Sequence, residues 1–212
     1  MPMELRKRKA PPPPPPASGK KPVKMAKTAS NAAETVKEKV AEAAATANGS
    51  STPKPAVGDI ISLGDFGGEI ETNNGTKTTL KDLVDASKAG VVLFTYPKAS
   101  TPGCTRQACH FRDAHGALTA ASGLAIYGLS TDSPKANTAF RTKQRLPYPL
   151  LCDPRATLIA AIGLRKEKGS GTVRGVFVVD KTGRVLAARA GSPEGTVEVV
   201  EVDGANGEEG KE

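Results

Sequence analysis

The sequence predicts an α/β domain with a mixed central sheet and helices on both faces, three layers in all, over residues 57–196 of a 212-residue chain. Three observations carry this. Strand-like and helix-like runs alternate through that span. All eight aromatic residues lie between Phe66 and Phe177. Ten of the 17 prolines fall in residues 1–56, which hold no aromatic residue, so that segment is expected to be a disordered arm outside the core. A domain of roughly 140 residues buries a core without disulfides or metal.

The elements follow in order. Val91 to Tyr96 is a β-branched and aromatic run, the pattern of a buried central strand. A loop with Pro97, Pro102 and Gly103 comes next, then a helix from Cys104 to about Ala121, with Ala108, Phe111, Leu118 and Ala121 on one face and Gly123 ending it. Ala125 to Leu129 reads as a strand. Pro134 to Arg145 reads as a helix capped by Ser133. Tyr148 to Leu151 is a short strand. Asp153 is expected to cap a helix beginning at Pro154 and ending near Gly163. Val173 to Val179 and Val185 to Arg189 form a hairpin through Lys181-Thr182-Gly183.

Charge divides the chain in the same places. Residues 1–56 carry net +7, residues 57–196 net +6 and residues 197–212 net −5. The last segment reads as an acidic C-terminal tail, and the basic arm calls for an acidic partner. No apolar run reaches 18 residues, so no transmembrane helix and no membrane partner is expected. The charged N-terminus is not followed by the apolar stretch of a secretory signal. Three cysteines are too few for a disulfide scaffold. In a reducing compartment, a close cysteine pair points to redox or metal chemistry.

Within the arm, Arg6, Lys7, Arg8 and Lys9 precede six prolines, Pro11 to Pro16, and Lys20, Lys21 and Lys24 follow them. A stiff polyproline spacer would fix the separation of the two clusters. The pair resembles a bipartite nuclear localisation signal read by an import carrier, with an unaddressed basic tail as the alternative. A nuclear location is therefore expected, a cytoplasmic one otherwise. The Lys/Ala/Pro composition also looks like linker-histone tails, which contact DNA weakly by charge without reading sequence.

The chemistry-bearing segment runs from Pro97 through Thr101 and Cys104 to Cys109 and joins the buried strand to a helix. Cys104 falls in the first helical turn, where free N–H groups and the positive end of the dipole favour a thiolate. Such a thiolate can attack the O–O bond of a peroxide. The Thr101 hydroxyl can share its pocket, and charge left on the departing oxygen asks for donors and a cation nearby.

This segment resembles the peroxiredoxins, whose pattern P-x-x-x-T-x-x-C is filled by Pro97, Thr101 and Cys104. The second cysteine five residues on is similar to the bacterioferritin comigratory protein, or Q-type, branch. The resemblance spans about residues 57–195 and, with the basic arm, is strongest to fungal nuclear thiol peroxidases. It implies a thioredoxin-like fold and no cofactor. Cys104 would be peroxidatic and Cys109 resolving, the two forming an intramolecular disulfide reduced by a thioredoxin-type dithiol. Arg174, ahead of a late strand, matches the family's active-site arginine. A monomer is implied. The family's C-terminal helix is represented only by Val197 to Val202, and Cys152 reads as a buried small residue.

Blander readings stand beside these. Cys104 and Cys109 could be core cysteines, or zinc ligands with His110 and His115, although four ligands on one helix point several ways. Thr101 could be a turn residue and Arg174 a surface arginine. His110 and His115 read as helix surface, and Arg112 and Asp113 as surface contacts. A disulfide oxidoreductase on the same fold would want C-x-x-C, which is absent. A chromatin-binding protein with an idle domain is the reading from another class.

Overall fold

The computed structural model describes residues 54–167 and 171–203. The basic clusters Arg6 to Lys9 and Lys20 to Lys24, with the rest of residues 1–53 and 204–212, lie outside the described residues. In chain order the elements are β1 (Ile70–Thr72), β2 (Lys77–Thr78), α1 (Leu80–Ala86), β3 (Gly90–Thr95), α2 (Pro102–Ser122) and β4 (Leu124–Ser130). There follow α3 (Pro134–Gln144), β5 (Leu150–Cys152), α4 (Thr157–Ala161), β6 (Gly175–Asp180), β7 (Val185–Ala190) and α5 (Gly195–Asp203). Among the described residues no helix is long and apolar enough to cross a membrane.

The strands form one mixed sheet in the order β2-β1-β5-β4-β3-β6-β7. β3 is an interior strand next to the central β4, parallel to β4 and antiparallel to β6. All six β3 residues are buried, which is why this strand reads as a continuous apolar run. Alternate residues serve opposite faces. Val92 and Phe94 join a core under α2, α3 and α5, while Val91 and Leu93 join one under α1 and α4. Helices cover both faces, so the three-layer arrangement is present. Phe94 stacks on Phe111 of α2 with ring centroids 4.3 Å apart and meets Tyr148 edge-on at 5.5 Å. The Tyr148 hydroxyl donates to the Ala108 carbonyl at 2.6 Å, fixing α2 to the segment before β5.

α2 buries Cys104, Gln107, Ala108, Phe111 and Leu118, at helical spacing. Ala121, expected on this face, is exposed in the last turn. Gly123 ends the helix in the left-handed conformation, φ 66°, as the sequence predicts. α3 begins at its Ser133 cap, whose hydroxyl accepts the Ala136 N–H.

Three expectations change. The helix expected from Pro154 starts only at Thr157. Ala156 takes φ 53°, and the Asp153 carboxylate accepts the Thr157 and Ile159 N–H groups at 3.0 Å each across a turn. The boundary expected at 196 falls inside α5. There Val197 and Val200 are buried against the α2 side of the core, so burial holds a β-branched segment helical against its propensity. Residues 57–89 carry elements the pattern reading passed over. A β1–β2 hairpin turns at Gly75, and α1 opens with a capping box between Thr79 and Asp82.

Candidate active site

Cys104 is the third residue of α2, after the N-cap Thr101 and Pro102 at the start of the first turn. Its side chain is buried, with 1% of the residue exposed. Arg174, just ahead of β6, brings Nη2 to 3.5 Å from the Cys104 Sγ. The sheet register explains this. β3 and β6 are antiparallel with Thr95 opposite Gly175, so the residue before β6 adjoins the loop that leaves β3. Gly103 leaves the room, because a Cβ there would stand 3.1 Å from Arg174 Nη2.

Arg174 is held on its far side. Its Nη1 donates to Gln107 Oε1 at 2.6 Å and to the Gly103 carbonyl at 3.2 Å. Gln107, fully buried, passes the connection on by donating Nε2–H to Thr196 Oγ1 at 3.1 Å. Thr196 in turn donates to the Pro193 carbonyl at 3.1 Å. The start of α5 thus fixes the amide that fixes the guanidinium. Sequence reasoning named neither Gln107 nor Thr196. A buried Gln one turn after the cysteine was the available signal for the first, and Thr196 gave none.

In the loop, Pro97 is half-buried and Thr101 partly exposed. The Thr101 hydroxyl donates to the Lys98 carbonyl at 2.9 Å, closing the loop on itself. The Ala99 N–H donates to Asp132 at 2.7 Å, and Ser100 has φ 63°. Pro97, Thr101, Cys104 and Arg174 are therefore brought to one loop and one helix start.

Cys109 sits elsewhere. It is half-buried on α2, with its thiol directed at Gln144 Oε1 of α3 at 3.8 Å. All three cysteines are free thiols. His110 lies 3.8 Å from Glu194, and the His115 ring is 5.8 Å from that of Tyr148. Among the described residues no three His, Cys, Asp or Glu side chains converge on one point. Arg112 pairs with Asp113 at 2.8 Å and also donates to the Gln144 carbonyl at 3.0 Å. Cys152 is fully buried in β5, where burial pushes its thiol pKa up and the Asn137 amide, donating at 3.2 Å, opposes that.

This arrangement suits one kind of chemistry. It sets a nucleophilic sulfur at a helix N-terminus beside a guanidinium. The same guanidinium and the free N–H groups can take charge that builds on an oxygen leaving that sulfur's substrate.

Comparison with known proteins agrees with the geometry. Residues 63–188 match the model of the AhpC/TSA family. Peroxiredoxin bcp1 of Schizosaccharomyces pombe is 41% identical over 140 residues, covering 63% of this chain and 70% of that protein. The crystal structure of peroxidoxin BcpB from Mycobacterium tuberculosis superposes with a TM-score of 0.61 at 33% identity, over 70% of this chain and 95% of that one. A bacterioferritin comigratory protein of Xanthomonas campestris, whose structure is described in terms of alkyl peroxide reduction, superposes with a TM-score of 0.63 at 27% identity. It covers 72% of this chain and 99% of that one.

Proposed function

The chain belongs to the AhpC/TSA family and has the thioredoxin-like fold of its Bcp and peroxiredoxin Q relatives, and from that premise we propose a thiol peroxidase recycled through an intramolecular disulfide. The observation that carries the reading is the 3.5 Å approach of Arg174 to a buried Cys104 at the start of α2.

The Cys104 thiolate attacks the terminal oxygen of hydrogen peroxide or an organic hydroperoxide. The O–O bond breaks, Arg174 and the α2 N–H groups steady the departing oxygen, and that oxygen leaves protonated as water or an alcohol. Cys104 is then a sulfenic acid. The Cys109 thiolate attacks its sulfur, water leaves and a Cys104–Cys109 disulfide forms. A thioredoxin-type dithiol reduces that bond by exchange. Pro97 and Thr101 shape the approach to the sulfur. No cofactor takes part, and a monomer suffices because both cysteines lie on one helix. Such an enzyme serves antioxidant defence and cell redox homeostasis.

The test is peroxide consumption with thioredoxin, thioredoxin reductase and NADPH. Wild type should turn over. Cys104→Ser should be inert. Cys109→Ser should react once and stall as the sulfenic acid. Turnover by Cys104→Ser at the wild-type rate would refute the assignment. The two basic clusters of the arm support a nuclear location through an import carrier, against a cytoplasmic one, and the arm's charge supports weak non-specific contact with DNA.

A further inference from the structure

The loop between β3 and α2 has a backbone that its sequence alone does not favour. Ser100 takes φ 63°, a conformation disfavoured for any residue with a Cβ. Its neighbours explain how it stays there. Ala99, one residue before, donates its N–H to Asp132 Oδ2 at 2.7 Å. Thr101, one residue after, is the N-cap of α2 and accepts the Thr105 N–H on its carbonyl at 2.8 Å. Ser100 is the joint between a clamped amide and the helix that carries Cys104.

Asp132 is well placed to clamp. Its side chain is 10% exposed, and Lys98 stands 3.9 Å away but is 74% exposed, so that ion pair adds little. The carboxylate also accepts the Ser130 hydroxyl at 3.3 Å. Ser130 Oγ accepts from Asn137 Nδ2 at 3.3 Å, and Asn137 Oδ1 accepts the Tyr96 hydroxyl at 2.8 Å. The end of β3, the end of β4 and α3 thus converge through buried polar groups on one carboxylate, and that carboxylate holds one loop amide. A bond from N–H to an ionised acceptor is among the stronger kinds.

We propose that Asp132 is a positioning residue of the peroxide site: it clamps Ala99, holds Ser100 in its left-handed conformation, and so fixes Thr101 and the start of α2 against Arg174. The proposal rests on the peroxidase reading. Its consequence is kinetic, because a displacement of about 1 Å in a reacting geometry costs on the order of a hundredfold in rate.

The experiment uses the full chain, reduced, mixed with hydrogen peroxide and quenched at intervals for mass spectrometry. It compares wild type, Asp132→Ala, Asp132→Asn and the double variant Asp132→Ala with Ser100→Gly. Each is also followed through Cys104–Cys109 bond closure and thermal unfolding. Asp132→Ala should slow Cys104 oxidation roughly ten- to a hundredfold, with closure near wild type and only a modest fall in melting temperature from the donors it leaves unpaired. Asp132→Asn keeps an acceptor oxygen and should keep most of the rate. Ser100→Gly should restore much of the Asp132→Ala loss, because glycine adopts that backbone without cost. Oxidation of Asp132→Ala at the wild-type rate overturns the proposal and leaves the peroxidase reading standing. An equal fall in oxidation, closure and melting temperature, or no recovery with Ser100→Gly, also overturns it. Failure of wild-type Cys104 to oxidise refutes the peroxidase reading itself.

Discussion

Oxidation should unwind the start of α2. The helix runs unbroken from Pro102 to Ser122 with Cys104 and Cys109 five residues apart. In an α-helix that separation is a rise of ~7.5 Å and a net rotation of about 140°, which on a Cα radius of ~2.3 Å places the two Cα atoms ~8.7 Å apart. A disulfide needs roughly 4.4–6.8 Å and converging Cβ vectors. The thiols also point at different partners, Cys104 at Arg174 and Cys109 at Gln144. Closing the bond must therefore open the turns between them. Three buried or half-buried hydrogen bonds go with those turns, Arg174 to Gly103, Arg174 to Gln107, and Gln107 to Thr196. At a net contribution of about 1 kcal/mol each, their loss lowers the local opening free energy by ~3 kcal/mol. Amide exchange around residues 101–112 should then quicken roughly a hundredfold, since 1.4 kcal/mol is about a factor of ten.

The assay is hydrogen exchange read by mass spectrometry on reduced protein and on protein converted with one equivalent of peroxide. The sheet supplies the control, because peptides from β3 and β6 should exchange alike in both. Unchanged protection of residues 101–112 in protein carrying the Cys104–Cys109 bond would refute the reasoning, as would a bond from Cys104 to the buried Cys152.

Three further outcomes follow from the same contacts. Gln107→Leu leaves Arg174 and Thr196 without their shared partner and should slow Cys104 oxidation about tenfold, against about a hundredfold for Arg174→Met, in stopped-flow peroxide kinetics. Gln107→Glu keeps the acceptor for Arg174 but loses the N–H donated to Thr196 and sets a buried carboxylate beside the guanidinium, so it too should slow Cys104 oxidation. Deleting residues 1–24 should move a fluorescent fusion too large to diffuse through pores from nucleus to cytoplasm, with peroxidase activity kept. The Asp82 carboxyl accepts the Thr79 hydroxyl and then the Thr79 N–H, which together hold its pKa below the ordinary value. The cap's contribution is thus present above the unfolded carboxylate pKa and fades as pH falls through the lower folded one. Thermal melting of Asp82→Asn should show a shallower loss over that acid range than wild type.

What was legible in the sequence was local. β3, α2, α3 and the β6–β7 hairpin could be read because their signals sit inside the element or beside it: an apolar run, a Ser133 cap, a Gly123 stop. The β1–β2 turn at Asn73-Asn74-Gly75 and the Thr79–Asp82 capping box carry equally local signals. α4 misled because Asp153 caps from four residues ahead of Thr157, across a left-handed Ala156 that no propensity announces. α5 misled for the opposite reason. Its valines favour a strand, and packing of Val197 and Val200 on the core overrides them.

The site divides along the same line. Cys104 was readable because a cysteine behind Thr101 and Pro102 at a helix start has its chemistry within reach of its own neighbours. Gln107, Thr196 and Asp132 were not, since each acts on a partner that only the fold brings close. Arg174 lies between these cases. It is 70 residues from Cys104 and came from resemblance alone. Yet the structure reduces that distance to one pairing. Because β6 runs antiparallel to β3 with Gly175 opposite Thr95, the residue before β6 must meet the loop after β3. The first link in that contact was therefore strand order, which no single segment of the chain encodes. Once it is known, the position before Gly175 is the place where a cation reaches the sulfur.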